Sequence, residues 1–121
     1  MGIVSTYIVP HPPLIIPDIG RGQERGIADT IESFNKIARE ISEIKPDTIV
    51  VLTSHSIMYD DYIHVSPGKK ASGDFRDFGH KTVSIEVKYD QELVSLIEAE
   101  VKNEGIAAGT MGERNKKLDH A

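Results

Sequence analysis

Two histidines fall where two neighbouring strands are expected to end. His11 lies in Val9-Pro10-His11-Pro12-Pro13, and His55 closes Val50-Val51-Leu52-Thr53-Ser54-His55. A neutral imidazole is the commonest protein metal ligand near neutral pH. Two imidazoles delivered to one sheet edge are half of a metal site. A carboxylate that completes them into a facial triad leaves open positions, which suits non-haem Fe(II). Zinc with the same ligands and one water suits a hydrolase. Asp18, Asp60, Asp61 and Glu113 are loop carboxylates available for that role, and the spacing selects none of them.

Each histidine has a plainer reading to set beside the metal-ligand one. Pro10 and Pro12 restrict the loop around His11, so its ring has little entropy left to lose on binding. The plainer reading of His11 is a buried ring bonded to a loop carbonyl. Thr53-Ser54-His55-Ser56 is a polar patch at the mouth of an apolar strand, as a site at a sheet edge would be. The plainer reading there is a loop histidine satisfied by Ser54 and Ser56. The pair carries more than either member, because one strand-helix-strand geometry places both. His64, inside a short strand, is expected to pack or to face solvent. His80, in Phe78-Gly79-His80-Lys81, is expected at the surface. His120 adjoins Asp119 at the end of the chain, where neighbouring side chains diverge; one of the two could serve as an acid or base, and a frayed terminus is the plainer reading. Asp74 and Asp77 near Arg76 read as loop salt bridges. Gly20-Arg21-Gly22 precedes a helix whose N-terminus could seat an anion, on weak evidence.

The elements that must position these residues follow from patterning. Ile3-Val4-Ser5-Thr6-Tyr7-Ile8-Val9 has a buried-strand composition and is ended by Pro10. Residues 10–22, with four prolines and two glycines, are expected to be an irregular loop whose Leu14-Ile15-Ile16 folds back over the domain. From Gln23 to Ile44 apolar residues recur every three or four positions, which predicts one amphipathic helix, stopped by Pro46. Asp47-Thr48-Ile49-Val50-Val51-Leu52-Thr53 is apolar on both faces and reads as a central strand. Tyr62 to Ser66 reads as a short strand, Pro67 to Lys81 as an irregular excursion, and Thr82 to Lys88 as a strand with one wet face. Asp90 is a candidate N-cap for a helix carrying Leu93, Val94, Ile97 and Val101, and Asn103-Glu104-Gly105 supplies its stop. Ile106 to Gly109 could add a further short strand. Alternating strands and helices predict an α/β fold, three αβα layers around a mostly parallel sheet. Two convincing helices are few for that many strands, so the sheet is expected to be incomplete.

Composition sets the outer bounds. The chain has 121 residues, which predicts a single domain over 1–121 with a core of its own. Its 14 Lys and Arg against 19 Asp and Glu give a net charge of -5, so no nucleic-acid footprint is expected. Cysteine is absent, which excludes thiolate ligands and disulfides and agrees with a reducing cytoplasm. No signal peptide and no membrane-spanning window is expected. There is no G-x-x-x-x-G-K-S/T, no H-E-x-x-H and no G-x-S-x-G.

The strand ending in Val9-Pro10-His11-Pro12-Pro13, the helix, and Lys45-Pro46-Asp47-Thr48-Ile49-Val50-Val51-Leu52-Thr53-Ser54-His55 resemble the LigB-type catalytic subunits of the class III extradiol ring-cleavage dioxygenases. Gly73-Asp74-Phe75 with Phe78-Gly79, Glu86-Val87-Lys88-Tyr89-Asp90, and Gly109-Thr110 through Gly112-Glu113-Arg114 to Leu118-Asp119-His120 are similar to the Memo-related bacterial branch. The resemblance runs over essentially the whole chain. It implies Fe(II) held by two histidines and a glutamate, with O₂ and a catechol-type diol at the open positions. His11 and His55 match the two histidine ligands, and His120 matches an active-site histidine that contacts substrate or oxygen. The family's chain continues past Leu-Asp-His, usually with glycine where Ala121 stands. The glutamate ligand and a histidine base lie in that continuation, so this sequence resembles the N-terminal portion of the family domain. The expectation is a truncated dioxygenase-like domain with little turnover of its own, pairing with a second copy or another chain through its exposed sheet edge. A binding or regulatory module of Memo type with an empty site, or a zinc hydrolase, are the alternatives.

Overall fold

A computed structural model describes residues 2–55, 57–112 and 118. They divide between Val51 and Leu52 into two units. In the first, the proline-rich stretch after residue 9 is more regular than expected. It makes a 3₁₀ turn, Pro13–Ile15, and a short helix, α1 (Pro17–Gly20), then a second 3₁₀ turn, Gln23–Ile27. Proline opens the first two, where its missing N–H costs nothing and its fixed φ suits a helical start. Leu14, Ile15 and Ile16 are half-buried, as expected of a loop folded back on its own unit.

The long apolar stripe forms α2 (Ala28–Ile44), with Ile31, Phe34, Ile37 and Ile41 half-buried on one face. The Tyr7 hydroxyl donates to Glu40 Oε2 at 3.2 Å, tying the N-terminal segment to this helix. The helix ends on Lys45, whose φ of 52° is left-handed and whose N–H reaches the Ile41 carbonyl at 2.9 Å. Pro46 then prevents continuation. A side chain in this conformation costs about 1–2 kcal/mol, and glycine avoids that at an entropic cost of about 0.5–1 kcal/mol. Lys45→Gly should therefore stabilise the first unit by roughly 0.5–1 kcal/mol, read as a melting temperature raised by a few degrees in circular dichroism. An unchanged or lower melting temperature would count against this end of α2.

In the second unit, β1 (Ile63–His64) pairs in parallel with a strand at the other end, and the connection carries a hairpin and a helix. The hairpin is β2 (Lys70–Phe75) against β3 (His80–Lys88), antiparallel, with register from Lys70 opposite Lys88 to Asp74 opposite Ser84 and a bulge at Asp74/Phe75. Residues 67–81 are thus not wholly irregular. Their glycines and charges are tolerated because β3 supplies the ladder partner, and the 3₁₀ turn Arg76–Phe78 with Gly79 at φ 83° reverses the chain. The helix α3 (Gln91–Asn103) begins where expected, the Asp90 carboxylate accepting the Leu93 N–H at 2.9 Å. It ends in a paired stop: the Ile106 N–H reaches the Val101 carbonyl at 2.8 Å and the Gly105 N–H the Lys102 carbonyl at 3.3 Å, with Gly105 at φ 66°. The chain then enters β4 (Ala108–Gly109), aligned Ile63 with Ala108 and His64 with Gly109.

The protein is thus of the α/β class, with one parallel and one antiparallel ladder among the described residues. Segments 3–9 and 47–53, expected to be strands, enter no ladder among the described residues. Composition marks them as strand formers, but a strand exists only when a neighbour accepts its hydrogen bonds. Their side chains are correspondingly open to solvent: Ile8 is 98% exposed and Leu52 90%. The expected core is not closed either. Among the described apolar residues only Ala71, 3% exposed, counts as buried.

Candidate functional site

His11 belongs to the first unit and is surface-exposed. It stands just before the turn that Pro12 and Pro13 close, where the Ile15 and Ile16 amides reach the Pro12 and Pro13 carbonyls at 3.2 and 3.1 Å. The predicted restraint by proline is therefore present, and the reading of His11 as a buried ring is not. His55 belongs to the second unit and is also exposed. Its backbone N–H donates to Thr53 Oγ1 at 3.1 Å, so the threonine hydroxyl fixes the peptide from which the imidazole projects.

The other candidates separate. Asp18, in the first turn of α1, and Asp60 and Asp61 are exposed. Among the described residues no three His, Asp or Glu side chains form a group able to hold a metal ion. Glu113, Asp119 and His120 lie outside the described residues. Asp74 forms the expected salt bridge, its carboxylate receiving Arg76 Nε at 2.9 Å and Nη2 at 2.8 Å. That hydrogen bond and the adjacent negative charge hold the Arg76 guanidinium above its ordinary pKa. The glycine turn before the second 3₁₀ segment is not an open anion seat, because Glu24 Oε2 accepts the Gly22 N–H at 2.6 Å.

His80 differs from the surface position expected of it, whereas His64 packs, one of the two places expected for it. His80 opens β3 half-buried, with Nε2 buried and without a hydrogen-bond partner. His64 is half-buried on β1, and both of its ring nitrogens are buried without a partner. Around it lies a cluster that the sequence did not single out. The Tyr59 ring meets His64 edge-on at 6.0 Å and Tyr62 at 5.7 Å. Glu98 of α3 accepts the Thr110 N–H at 3.1 Å and the Thr110 hydroxyl. Tyr62 Oη accepts the Met111 N–H at 3.4 Å. Two glycines with positive φ, Gly109 (146°) and Gly112 (121°), let this turn pass beneath the hydroxyls of Tyr62 and Tyr59. The cluster sits where β1 and β4 both end, the edge at which open α/β sheets take ligands. The available signal was Tyr59-x-x-Tyr62-x-His64 together with two glycines bracketing Thr110-Met111. The hairpin also carries an open depression of about 430 Å³, lined by polar residues such as Asp74, Arg76 and Glu86 and by no histidine.

Residues 5–121 match the family described as the catalytic LigB subunit of aromatic ring-opening dioxygenase. The chain belongs to the LigB family. It is therefore a dioxygenase-like domain, of a family whose dioxygenases are generally metal-dependent. This LigB-family chain is also similar to Protein CA_C1420 of Clostridium acetobutylicum, 41% identical over 97 residues, or 80% of this chain and 21% of the relative. It thus spans about a fifth of the length of that curated relative. No solved structure matches it. Among its described residues no helix is long and apolar enough to cross a membrane.

Proposed function

We propose that this chain is part of an extradiol-type ring-opening dioxygenase, in which His11 and His55 are two ligands of Fe(II) and a catechol-type diol and O₂ are the reactants. The observation that carries the reading is the family match over residues 5–121. It is supported by two exposed imidazoles, each restrained through its local backbone. When bound, the metal supplies the electron chemistry that joins O₂ to the diol. The chain's part is to fix imidazole direction at His11 and His55, and His120 orients substrate or oxygen.

The donor chemistry suits Fe(II), but the described residues do not assemble a complete ligand set. No reaction step is therefore assigned to iron in this chain alone. In the family the third donor, a glutamate, lies past the Leu-Asp-His motif, and segments 3–9 and 47–53 are the surface on which a second copy or another chain would pair. The protein works in the cytoplasm, and its relation is to the Memo-related branch of the family.

Anaerobic Fe(II) titration calorimetry on the wild-type chain and on His11→Ala with His55→Ala tests the reading. Weak, saturable binding that disappears in the double variant is the expected result. Equal binding by both would remove the metal pair and leave a binding or regulatory module. Preference for zinc, with the same two histidines required, would redirect the reading to a hydrolase. Robust cleavage of a simple catechol by the purified chain would overturn the expectation of little turnover.

A further inference from the structure

Among the described residues β2 has a ladder partner, β3, on one side only, and in an antiparallel pair alternate residues turn their backbone groups outward. Ser72 does so, and its carbonyl accepts the Leu118 N–H at 2.9 Å. Leu118 is thus laid against the outer edge of the hairpin and is half-buried there. The next residue along β2 is Gly73, and the fit is tight. A Cβ on Gly73 would stand 2.7 Å from the Leu118 carbonyl oxygen and 2.8 Å from Leu118 Cβ. Gly73 has no left-handed backbone to explain its identity. What demands glycine is the close approach of another backbone.

We propose that Gly73 is a positioning residue: its missing side chain lets the Leu118 backbone dock on the free edge of β2, and so anchors the chain two residues before His120. The inference rests on the reading in which His120 serves the proposed reaction. It gives the hairpin a task, since neither of its strands carries a candidate metal ligand. Ser72-Gly73 and Leu118, far apart in the sequence, become the two sides of one contact. Alanine at position 73 would meet carbonyl oxygen and Cβ together, and the oxygen belongs to backbone that cannot rotate aside.

The test is nuclear magnetic resonance on the metal-free chain, reading amide exchange at residue 118 and the ring signals of His120. In Gly73→Ala, protection of the Leu118 amide should fall at least tenfold and the His120 ring signals should shift. The Tyr89 amide, bonded to the Lys69 carbonyl at 3.0 Å at the base of the same hairpin, should keep its protection. Leu118→Pro removes the N–H donor without touching the hairpin and should move the same His120 signals. A Leu118 amide still protected in Gly73→Ala, or His120 signals unmoved in either variant, overturns the proposal. If Gly73→Ala unravels the hairpin, Leu118→Pro decides alone by the same criterion. Because no iron is used, failure here is separable from failure of the Fe(II) titration.

Discussion

Gly109→Ala will lower the stability of the second unit by about 2–4 kcal/mol. Two costs combine. At φ 146° the residue occupies backbone space that L side chains rarely adopt, and a Cβ there would stand 2.6 Å from the Tyr62 hydroxyl oxygen. The position is buried, so the turn has little room to yield. Urea denaturation followed by tyrosine fluorescence reads the effect, since the chain has four tyrosines and no tryptophan. The two costs can be parted with Tyr62→Phe. In that background the hydroxyl is gone, and the penalty of Gly109→Ala should shrink by about 1 kcal/mol or more while the backbone cost remains. Strict additivity of the two substitutions would show that the hydroxyl is not what the new methyl meets.

The purified chain will associate. Ile3, Val4 and Ile8 in one segment, with Ile49, Val50, Val51 and Leu52 in the other, are all mostly exposed. Apolar exposure on this scale marks an interaction surface, and strand-forming segments outside any ladder are templates for pairing with a like chain. Light scattering after size exclusion should give at least twice the chain mass at tens of micromolar protein. Ile8→Lys together with Leu52→Lys places a charge in each segment and should return the monomer. A monodisperse wild-type monomer would remove the proposed pairing surface.

The helices were legible because their determinants are local. The apolar stripe of α2, the Asp90 cap and the Gly105 stop of α3 each act within a turn or two of their own residue. Strands depend on distant partners, and composition misleads in both directions there. Lys70–Phe75 was hidden by Gly73, Lys70 and Asp74, though β3 holds it in a six-residue strand. Segments 3–9 and 47–53 look like strands, but β-branched composition reports a preference and not a neighbour. His11 and His55 could be named as candidates from their flanking residues. The surroundings of His64 could not, because Gly109 and Gly112 come beside it only after the chain has passed through the hairpin and α3.

The parallel pairing of β1 with β4 sets an order of assembly. It closes a loop of roughly 45 residues, whereas the bulged end of the hairpin, Phe75 opposite His80, closes about five. Each doubling of loop length adds about 0.6 kcal/mol of closure entropy, so the parallel pair begins some 2 kcal/mol behind. The hairpin and α3 form from near neighbours and come early, and β4 docks onto β1 last. The Tyr62–Met111 contact, which depends on that docking, is the late-maturing part of the unit, whereas Glu98–Thr110 spans twelve residues and can form with α3. Local opening that reverses this docking would expose the sheet edge around His64.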